Sequence, residues 1–421
     1  MASFSFGAGN AGKLLRIPLY VAGRAVTAVV PRSRELWVFG SAVGLADGAW
    51  ALWQHASAAG ERAVWLTGTA DEAQDAAARG ILHAPKTSLR GFWLTARAAV
   101  TVITHGFGDV NRYAATGGVI VQLWHGIPLK RIGLDAPVTT ASPLPFAAPL
   151  LRRALAALYR RTQARIRVLP AASDLVRGRL ESAFGLPSAH VPVTGDPRDD
   201  VLSTGTAAGR RAAARARLAA LIGPIDAQTP VVLYAPTWRD GAADPGLPAS
   251  ADLAALRAVL ADTGAVFLVR AHHLGAGDYA ALAGGSVRLL GSDVVADVTP
   301  LLPGVDTLVT DYSSLAYDAA LARLATVFFA PDLDGYARSR GFYGTYAEVA
   351  GDDPATTWPA LLAQLRAVLT DPAERAARVA RAGALSARVH RFADGRNTAR
   401  VYRAIRARIP ATPGRPSRRM P

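Results

Sequence analysis

A histidine that follows a buried apolar run is the first feature of this sequence that could do chemistry. The run Val119–Leu123 is followed by Trp124, His125 and Gly126, and Lys130 lies four residues further on. A neutral imidazole in such a loop can act as a general base near neutral pH, and an ammonium group can hold a phosphate. For a His-Gly step taken alone, however, a histidine that only caps backbone groups of its loop is the commoner role. The motif therefore predicts a catalytic base only in combination with others.

A second candidate follows the apolar run 265–269, where Arg270 and Ala271 lead into His272 and His273. Arginine and histidine at the end of a strand suit an anionic ligand such as a phosphate. A metal pair is the alternative. Successive side chains on an extended segment point to opposite sides, and no His-Glu-x-x-His spacing supports zinc, so phosphate is favoured over metal. A surface turn with solvated side chains explains this motif as well as a phosphate site does.

The third candidate is the start of a predicted helix. The sequence TDYSSLAYD follows the apolar run 307–310 and contains Asp311, Ser313, Ser314 and Asp318. The first turn of a helix presents free N–H groups and a partial positive charge, and two hydroxyls at that place could cradle a phosphate. Capping of the helix by Ser313 or Asp311 accounts for the same residues equally well.

Two further segments crowd polar groups at predicted strand ends or turns. Thr237, Trp238 and Arg239 follow an apolar run, and Arg198 lies in the sequence GDPRDD. Each segment has a structural interpretation that its own pattern favours: a packed tryptophan beside an Arg239–Asp240 pair, and a turn at the Asp-Pro step. Neither segment identifies a binding site by itself.

Strands and helices in alternation must position these motifs. Four runs rich in β-branched and aromatic residues lie between residues 35 and 123, and five more lie between 230 and 329. Helical patterns such as 71–79 and 314–324 separate them. This alternation predicts an α/β chain with two doubly wound parallel sheets, which bind ligands beyond the carboxyl ends of their strands. We expect two Rossmann-like domains that face a cleft, residues 1–203 and 204–409, and a basic, disordered tail over 410–421.

Composition and charge exclude several classes of protein. The chain has 421 residues, is 51% hydrophobic and contains no cysteine, so it can form a large core but neither a disulfide scaffold nor a cysteine-ligated metal site. Its net charge of +15 indicates an anionic partner. Six arginines without an acidic residue lie between 136 and 173, and seven lie between 400 and 421. No apolar run is long enough to predict a transmembrane helix, and the first residues do not have the pattern of a secretory signal.

The order of the motifs along the chain says more than any one of them. The sequence contains, in this order, WVFGSAVGLADGAWAL, THGFGDVN, QLWHGIPLKRIG, TGDPRDD, LYAPTWRD, LVRAHH, VTDYSSLAYD and HRFADGRNTARVY. This series resembles the CDP-glycerol glycerophosphotransferase family, which includes teichoic-acid primases and polymerases and related capsule enzymes. The resemblance covers residues 35–403, most of the chain.

The resemblance implies a two-domain GT-B-type fold and the transfer of glycerol phosphate, or another polyol phosphate, from a CDP donor to an acceptor hydroxyl, with release of CMP. By motif position, His125 is similar to the family's proposed general base, and His272 is similar to a second family histidine near the donor phosphates. The substrate-binding candidates, from the motifs and the resemblance together, are Gly126, Lys130, Arg198, Thr237, Trp238, Arg239, Arg270, Asp311, Ser313, Ser314 and Asp318. No cofactor and no metal-ligand set is expected, and dependence on a divalent metal is left open.

The expected partners are a CDP-glycerol or related CDP-polyol donor, a lipid-linked or polymeric glycan or polyol-phosphate acceptor, and an anionic membrane surface. The resemblance implies peripheral attachment to the cytoplasmic face of the membrane. As a helix, the segment 145–167 would place leucines on one side and Arg152, Arg153, Arg160 and Arg167 on the other, which is typical of a helix at an anionic surface. Arg161 and Arg165 fall on the apolar side, and an ordinary surface helix explains the pattern as well.

Two other functions compete with this interpretation. A nucleotide-sugar glycosyltransferase of the same fold, acting on a cell-surface glycan, stays open because its donor also carries a pyrophosphate. Nucleic-acid binding is disfavoured, because the basic residues lie in two blocks without interleaved aromatic residues.

Overall fold

The computed structural model describes residues 17–140, 148–237, 239, 244–271 and 279–409. Within these residues, eleven strands form two sheets, and every neighbouring pair of strands is parallel. The first sheet has the order β3-β2-β1-β4-β5-β6 and consists of β1 (Leu36–Phe39), β2 (Arg62–Thr67), β3 (His83–Pro85), β4 (Val100–Ile103), β5 (Val119–Gln122) and β6 (Ile166–Val168). The second has the order β11-β10-β7-β8-β9 and consists of β7 (Val231–Ala235), β8 (Val266–Val269), β9 (Val287–Leu289), β10 (Thr307–Thr310) and β11 (Ala325–Phe328).

Burial explains why the central strands were readable from the sequence. All residues of β1, β4, β5, β7, β8, β10 and β11 are buried, as is usual for parallel strands covered on both faces, so each appears as a continuous apolar run. The two strands that the pattern did not predict, β3 and β6, have three residues each and lie at the two edges of the first sheet. The prediction of two doubly wound parallel sheets is confirmed.

Helices cover both faces of the sheets, and several begin at a hydroxyl that accepts a backbone N–H, as Ser88, Ser173 and Thr206 do. The described helices are α1 (Ile17–Val29), α2 (Asp47–Ala58), α3 (Ala70–Ala78), α4 (Leu89–Arg97), α5 (Ala148–Gln163), α6 (Asp174–Phe184), α7 (Ala207–Ile222), α8 (Ser250–Thr263), α9 (Leu315–Leu321), α10 (Leu333–Ser339), α11 (Ala347–Ala350), α12 (Trp358–Thr370), α13 (Pro372–Val389) and α14 (Asn397–Arg406). No described helix has the length and apolar content needed to cross a membrane.

The arginine-rich segment does not form one continuous helix over 145–167. The helix α5 ends at Gln163, and Ile166 and Val168 enter the first sheet as buried residues of β6. Arg165 lies between the end of α5 and the start of β6. Its guanidinium lies 4.1 Å from the ring centroid of Phe107 and donates to the Ala115 carbonyl at 3.2 Å. The misfit of Arg165 on the predicted helical wheel therefore marks the end of the helix.

The last helix does not pack in the unit 204–409 to which we assigned it. Val401, Tyr402 and Ile405 of α14 join the core of the first sheet, where the ring of Tyr402 lies 5.6 Å from that of Trp37. The chain thus crosses between the two domains twice. The crossings are joined to each other, because the Asp200 carboxylate accepts the N–H groups of Asn397 and Thr398 at 2.8 Å each.

Candidate functional site

The two sheets bring their switch points towards each other. In a doubly wound sheet, the crevice for a ligand opens where neighbouring strands lead off in opposite directions, here between β1 and β4 and between β7 and β10. The loops that leave the carboxyl ends of these strands and of β5 carry most of the candidate residues. They meet along the contact between the domains, where Arg131 N donates to Gly341 O at 3.1 Å and Tyr343 N donates to Leu129 O at 3.0 Å.

The loop after β5 has an unusual backbone that presents His125 to this contact. Trp124 has φ +65° and Gly126 has φ +113°, a value that side chains disfavour. A Cβ on Gly126 would also lie 2.6 Å from Nη1 of Arg198 and 3.4 Å from Oγ of Ser314. Gly126 is therefore required both by its conformation and by the close approach of the second domain, and the predicted group of His125, Gly126 and Ser314 does come together.

His125 is arranged to be uncharged at neutral pH. Its ring lies against two other rings, that of Trp124 at 4.1 Å and that of His105 at 4.3 Å between centroids. Burial lowers the pKa of His125 well below its ordinary value, and His105 and Arg198 lower it further, whereas the nearby Thr104 carbonyl partly offsets them. A neutral imidazole is the form that can accept a proton from a hydroxyl.

His105 is a residue of this site that our reading of the motifs did not single out. It follows β4 as His125 follows β5, in each case as a His-Gly step after a buried strand. That repeated pattern was the available signal, and the parallel alignment of β4 with β5 converts it into contact between the rings.

Arg198 ties the two domains together. Its Nε lies 3.1 Å from Oδ1 of Asp47, which begins α2, and its Nη2 lies 3.0 Å from Oδ2 of Asp318 in α9. Nη2 also donates to Thr299 Oγ1 at 2.8 Å. Arg198 and Asp318, predicted to bind substrate, thus use much of their charge on each other. Asp47 adds a second link between the domains, because its backbone N–H donates to the Asp297 carboxylate at 3.2 Å.

The carboxyl groups around Arg198 have pKa values above their ordinary range. Burial raises the pKa of Asp196 to about 8 and that of Asp318 to about 6, and Arg198 opposes both shifts. Burial likewise raises the pKa of Asp199 well above its ordinary range, with Asp196 adding to the effect. In return, the surrounding carboxylates more than overcome the effect of burial on Arg198 and raise its pKa.

Arg239 and Asp311, predicted to bind the donor, are likewise occupied with each other. The Arg239 guanidinium donates to Asp332 at 2.8 and 2.9 Å and to Asp311 at 3.0 Å, and it lies 4.9 Å from the ring centroids of Tyr312 and Tyr336. Asp311 also accepts the Thr237 N–H at 2.9 Å. The structure thus places Arg239, Asp311 and the Thr237 backbone in a buried scaffold beneath the loops.

The remaining described candidates differ in what their side chains contact. Arg270 donates to the carbonyls of Val295 and Ala296 at 2.9 and 3.0 Å, so its guanidinium braces that loop. Ser313 Oγ accepts the Leu315 N–H at 3.2 Å, which is the capping role considered above. Lys130 lies at the contact between the domains, with Nζ 5.8 Å from the ring centroid of Tyr336.

Two of the predicted site residues, Trp238 and His272, lie outside the described residues, and so does His273. The second catalytic histidine stays a prediction. Among the described residues, no group of three or more histidine, cysteine, aspartate or glutamate side chains is arranged to hold a metal ion.

Comparison with known proteins assigns the chain to a family. The model of the family described as CDP-Glycerol:Poly(glycerophosphate) glycerophosphotransferase matches residues 25–407. The teichoic acid glycerol-phosphate transferase of Staphylococcus aureus is 29% identical over 249 residues, which cover 56% of this chain and 58% of that protein. The teichoic acid poly(glycerol phosphate) polymerase of Staphylococcus epidermidis is 31% identical over 235 residues, which cover 54% of this chain and 31% of that protein. The matched part of the chain thus spans about a third to just over half of the length of these relatives.

Solved structures show the same fold. The wall teichoic acid polymerase TagF superposes with a TM-score of 0.72 at 20% identity, over 96% of this chain and 98% of that one. A protein of Listeria monocytogenes assigned as a UDP-N-acetylglucosamine 2-epimerase has a TM-score of 0.52 at 14% identity, over 89% and 96% of the two chains. The predicted GT-B-type fold is confirmed.

Proposed function

Because this chain belongs to the CDP-glycerol:poly(glycerophosphate) glycerophosphotransferase family, we propose that it transfers glycerol phosphate, or a related polyol phosphate, from a CDP donor to an acceptor hydroxyl and releases CMP. The observation that carries this proposal is the position of His125, whose lowered pKa favours the neutral ring, on a loop in which the adjacent Gly126 lies close to Arg198 and to Ser314 of the second domain. A base and a phosphate-binding helix start on opposite walls of one cleft are what transfer between two substrates requires.

The proposed reaction follows from the chemistry of these groups. The acceptor oxygen attacks the phosphorus that carries the glycerol, the bond from that phosphorus to the CMP phosphate oxygen breaks, and His125 takes the proton of the acceptor hydroxyl. Since Nδ1 of His125 is buried, Nε2 is the nitrogen left to meet the hydroxyl. We propose that the Ser314 hydroxyl, beside Gly126 at the start of α9, contacts the donor phosphates, where oriented dipoles favour the charge that develops on the leaving group. His272 is the proposed second histidine, on the donor side.

The acceptor is proposed to be a lipid-linked or polymeric polyol phosphate or glycan. The named relatives act in teichoic acid synthesis, and a variant of the TagF polymerase was solved after soaking with CDPG. Both facts belong to those proteins and support the same substrate class for this chain.

Release of CMP tests the proposal directly. We expect CMP release from CDP-glycerol or CDP-ribitol, and no release of UDP or UMP from UDP-sugars, in the presence of a teichoic-acid-type acceptor. Loss of a general base lowers kcat by about 10²–10⁴-fold, so His125→Gln should lose at least about a hundredfold. His55→Gln is the matched control, because His55 lies in the last turn of α2, away from Asp47 at its start, and contacts the Tyr402 ring at 5.0 Å. Turnover of UDP-sugars alone, or near-normal activity of His125→Gln, would reject the proposal.

We further propose that the protein attaches peripherally to the cytoplasmic face of an anionic membrane. The helix α1 exposes Leu19, Val21 and Val29, which are 53%, 64% and 81% exposed. This helix packs on the loop between β4 and β5, where the ring of Tyr20 lies 4.9 Å from that of Tyr113. The same loop contacts the end of the arginine-rich segment, because Arg165 donates to the Ala115 carbonyl. Apolar side chains next to a basic surface are typical of interfacial attachment.

Co-sedimentation with vesicles tests this attachment. We expect binding to vesicles with anionic lipid, weaker binding in high salt, and loss of binding when Leu19, Val21 and Val29 are changed to aspartate. Leu289→Asp is the matched control, because Leu289 is an exposed apolar residue, at 36%, on the edge strand of the second sheet. Equal binding of all variants, or binding that ignores the lipid charge, would contradict the proposal.

A further inference from the structure

The way in which His125 is held differs from the usual support of a catalytic histidine. A histidine base is commonly oriented by a hydrogen bond from its second ring nitrogen to a carboxylate or carbonyl. Nδ1 of His125 is buried and makes no hydrogen bond with any of the residues that the structure describes. Its ring instead lies face to face with that of His105, with 4.3 Å between centroids and 3° between planes. Besides the Thr104 carbonyl, which lies near enough to the ring to favour its protonation, ring packing sets the plane of His125.

His105 is itself held in a rigid turn. Its Nδ1 and Oγ1 of Thr104 are joined by a hydrogen bond of 2.8 Å. The buried Asp109 carboxylate accepts three successive backbone N–H groups, from Thr104 at 2.9 Å, His105 at 2.7 Å and Gly106 at 3.2 Å. Thr104 is fixed in turn by a hydrogen bond of 3.0 Å to Ser41. A side chain that only filled space would not need this support, and the support leaves His105 few alternative orientations.

We propose that His105 is a positioning residue that holds the His125 imidazole, by parallel stacking, in the orientation in which it takes a proton from the acceptor. This inference rests on the proposed function. A base must be held close to its productive geometry, and a misplacement of about 1 Å can cost about a hundredfold in rate. His105 does not touch the reacting atoms in this arrangement.

The stack also controls which ring takes a proton first. Burial lowers the pKa of His105 and Arg198 adds to that effect, whereas Asp109 from the turn after β4 and Asp47 from α2 oppose it. His125 faces Arg198 and His105, both of which oppose its protonation. The first proton taken up on acidification therefore goes to His105, and its charge then resists a second proton on His125. The pair keeps the base neutral to lower pH than a single buried histidine of the same site would be.

Two substitutions at position 105 separate stacking from charge. His105→Ala removes the ring, and we expect kcat to fall at least about tenfold while the KM for the CDP donor changes less than about twofold. His105→Phe keeps a ring without charge, and we expect it to restore most of kcat. The Phe variant should also move the acid limb of the kcat/KM profile to higher pH, because the like charge beside His125 is gone. His55→Ala, which removes another ring-packed histidine of the first domain, should leave all three quantities unchanged.

The outcomes distinguish this inference from the function on which it rests. Nuclear magnetic resonance titration of His125, assigned with His125→Gln, needs no turnover and should show the same upward shift in His105→Phe. The inference is overturned if His105→Ala keeps kcat within about twofold, if His105→Phe is as slow as His105→Ala, or if the His125 titration is the same in wild type and His105→Phe. If the wild type releases no CMP from any CDP-polyol while the titration shift is present, the proposed function fails and the coupling of the two rings stands.

Discussion

Replacement of Arg198 by methionine should destabilise the protein strongly, and more at high than at low pH. The guanidinium is 11% exposed and lies 3.1 and 3.0 Å from carboxylates that are 8% and 2% exposed, those of Asp47 and Asp318. Methionine replaces the aliphatic stem of the arginine but removes the guanidinium, which leaves both carboxylates without their cation. Breaking a buried ion pair in this way typically costs about 3–5 kcal/mol.

The pH dependence follows from the pKa of the carboxyl groups that remain. Burial raises the pKa of Asp318 to about 6, above the unfolded value of about 3.9, although Arg198 opposes the shift. Since the folded state binds this proton more tightly than the unfolded chain does, the protonated Asp318 stabilises the fold. This stabilisation is complete below the unfolded pKa and is lost as the pH rises through the folded pKa. Without Arg198, the folded pKa is higher still, so the loss continues to higher pH. We expect Arg198→Met to cost less near pH 5.5 than near pH 8.

Urea unfolding of wild type, Arg198→Met and Arg366→Met at about pH 5.5 and about pH 8 measures both effects. Arg366 is the control, because its 2.7 Å pair with Asp262 is about half exposed at both ends and such surface pairs contribute about 0–1 kcal/mol. If Arg198→Met loses no more stability than Arg366→Met at pH 8, or loses more at pH 5.5 than at pH 8, the account of Arg198 as a buried link between the domains is wrong.

Three further substitutions test other parts of the site. Burial raises the pKa of Asp196 to about 8, so the wild type should lose stability as the pH rises towards 8, and Asp196→Asn should flatten the plot of Tm against pH; an unchanged slope would contradict the assignment. Gly126→Ala should lower kcat and cost about 1 kcal/mol or more, because φ is +113° and the new Cβ would lie 2.6 Å from Arg198; a fully active variant with wild-type Tm would show that the loop is not constrained. Arg239→Gln should lower Tm but leave the donor KM within about twofold, because the guanidinium already pairs with Asp311 and Asp332; a rise in KM of about tenfold at constant Tm would restore Arg239 as a donor ligand.

The sequence by itself determined the fold class and the family, and it singled out His125 as the proposed base. Strands that are buried on both faces must be apolar throughout, so β1, β4, β5, β7, β8 and β10 were visible without any knowledge of their partners. A polar residue directly after such a strand lies at the edge of the sheet where ligands bind, which is why His125 could be selected. The ordered series of motifs then predicted the family that the comparison shows.

The tertiary structure alone decided which protein groups the predicted residues contact. From the sequence, Arg198, Arg239 and Arg270 look alike, since a guanidinium in a turn or after a strand can serve a phosphate or a carboxylate. Their partners lie far away along the chain: Asp318 for Arg198 and Asp332 for Arg239. Long-range pairing of this kind has no local signature, because it depends on how the two sheets and the returning α14 pack. The stacking of His105 on His125 was hidden for the same reason: adjacency of two loops is a property of the parallel sheet and not of either loop sequence.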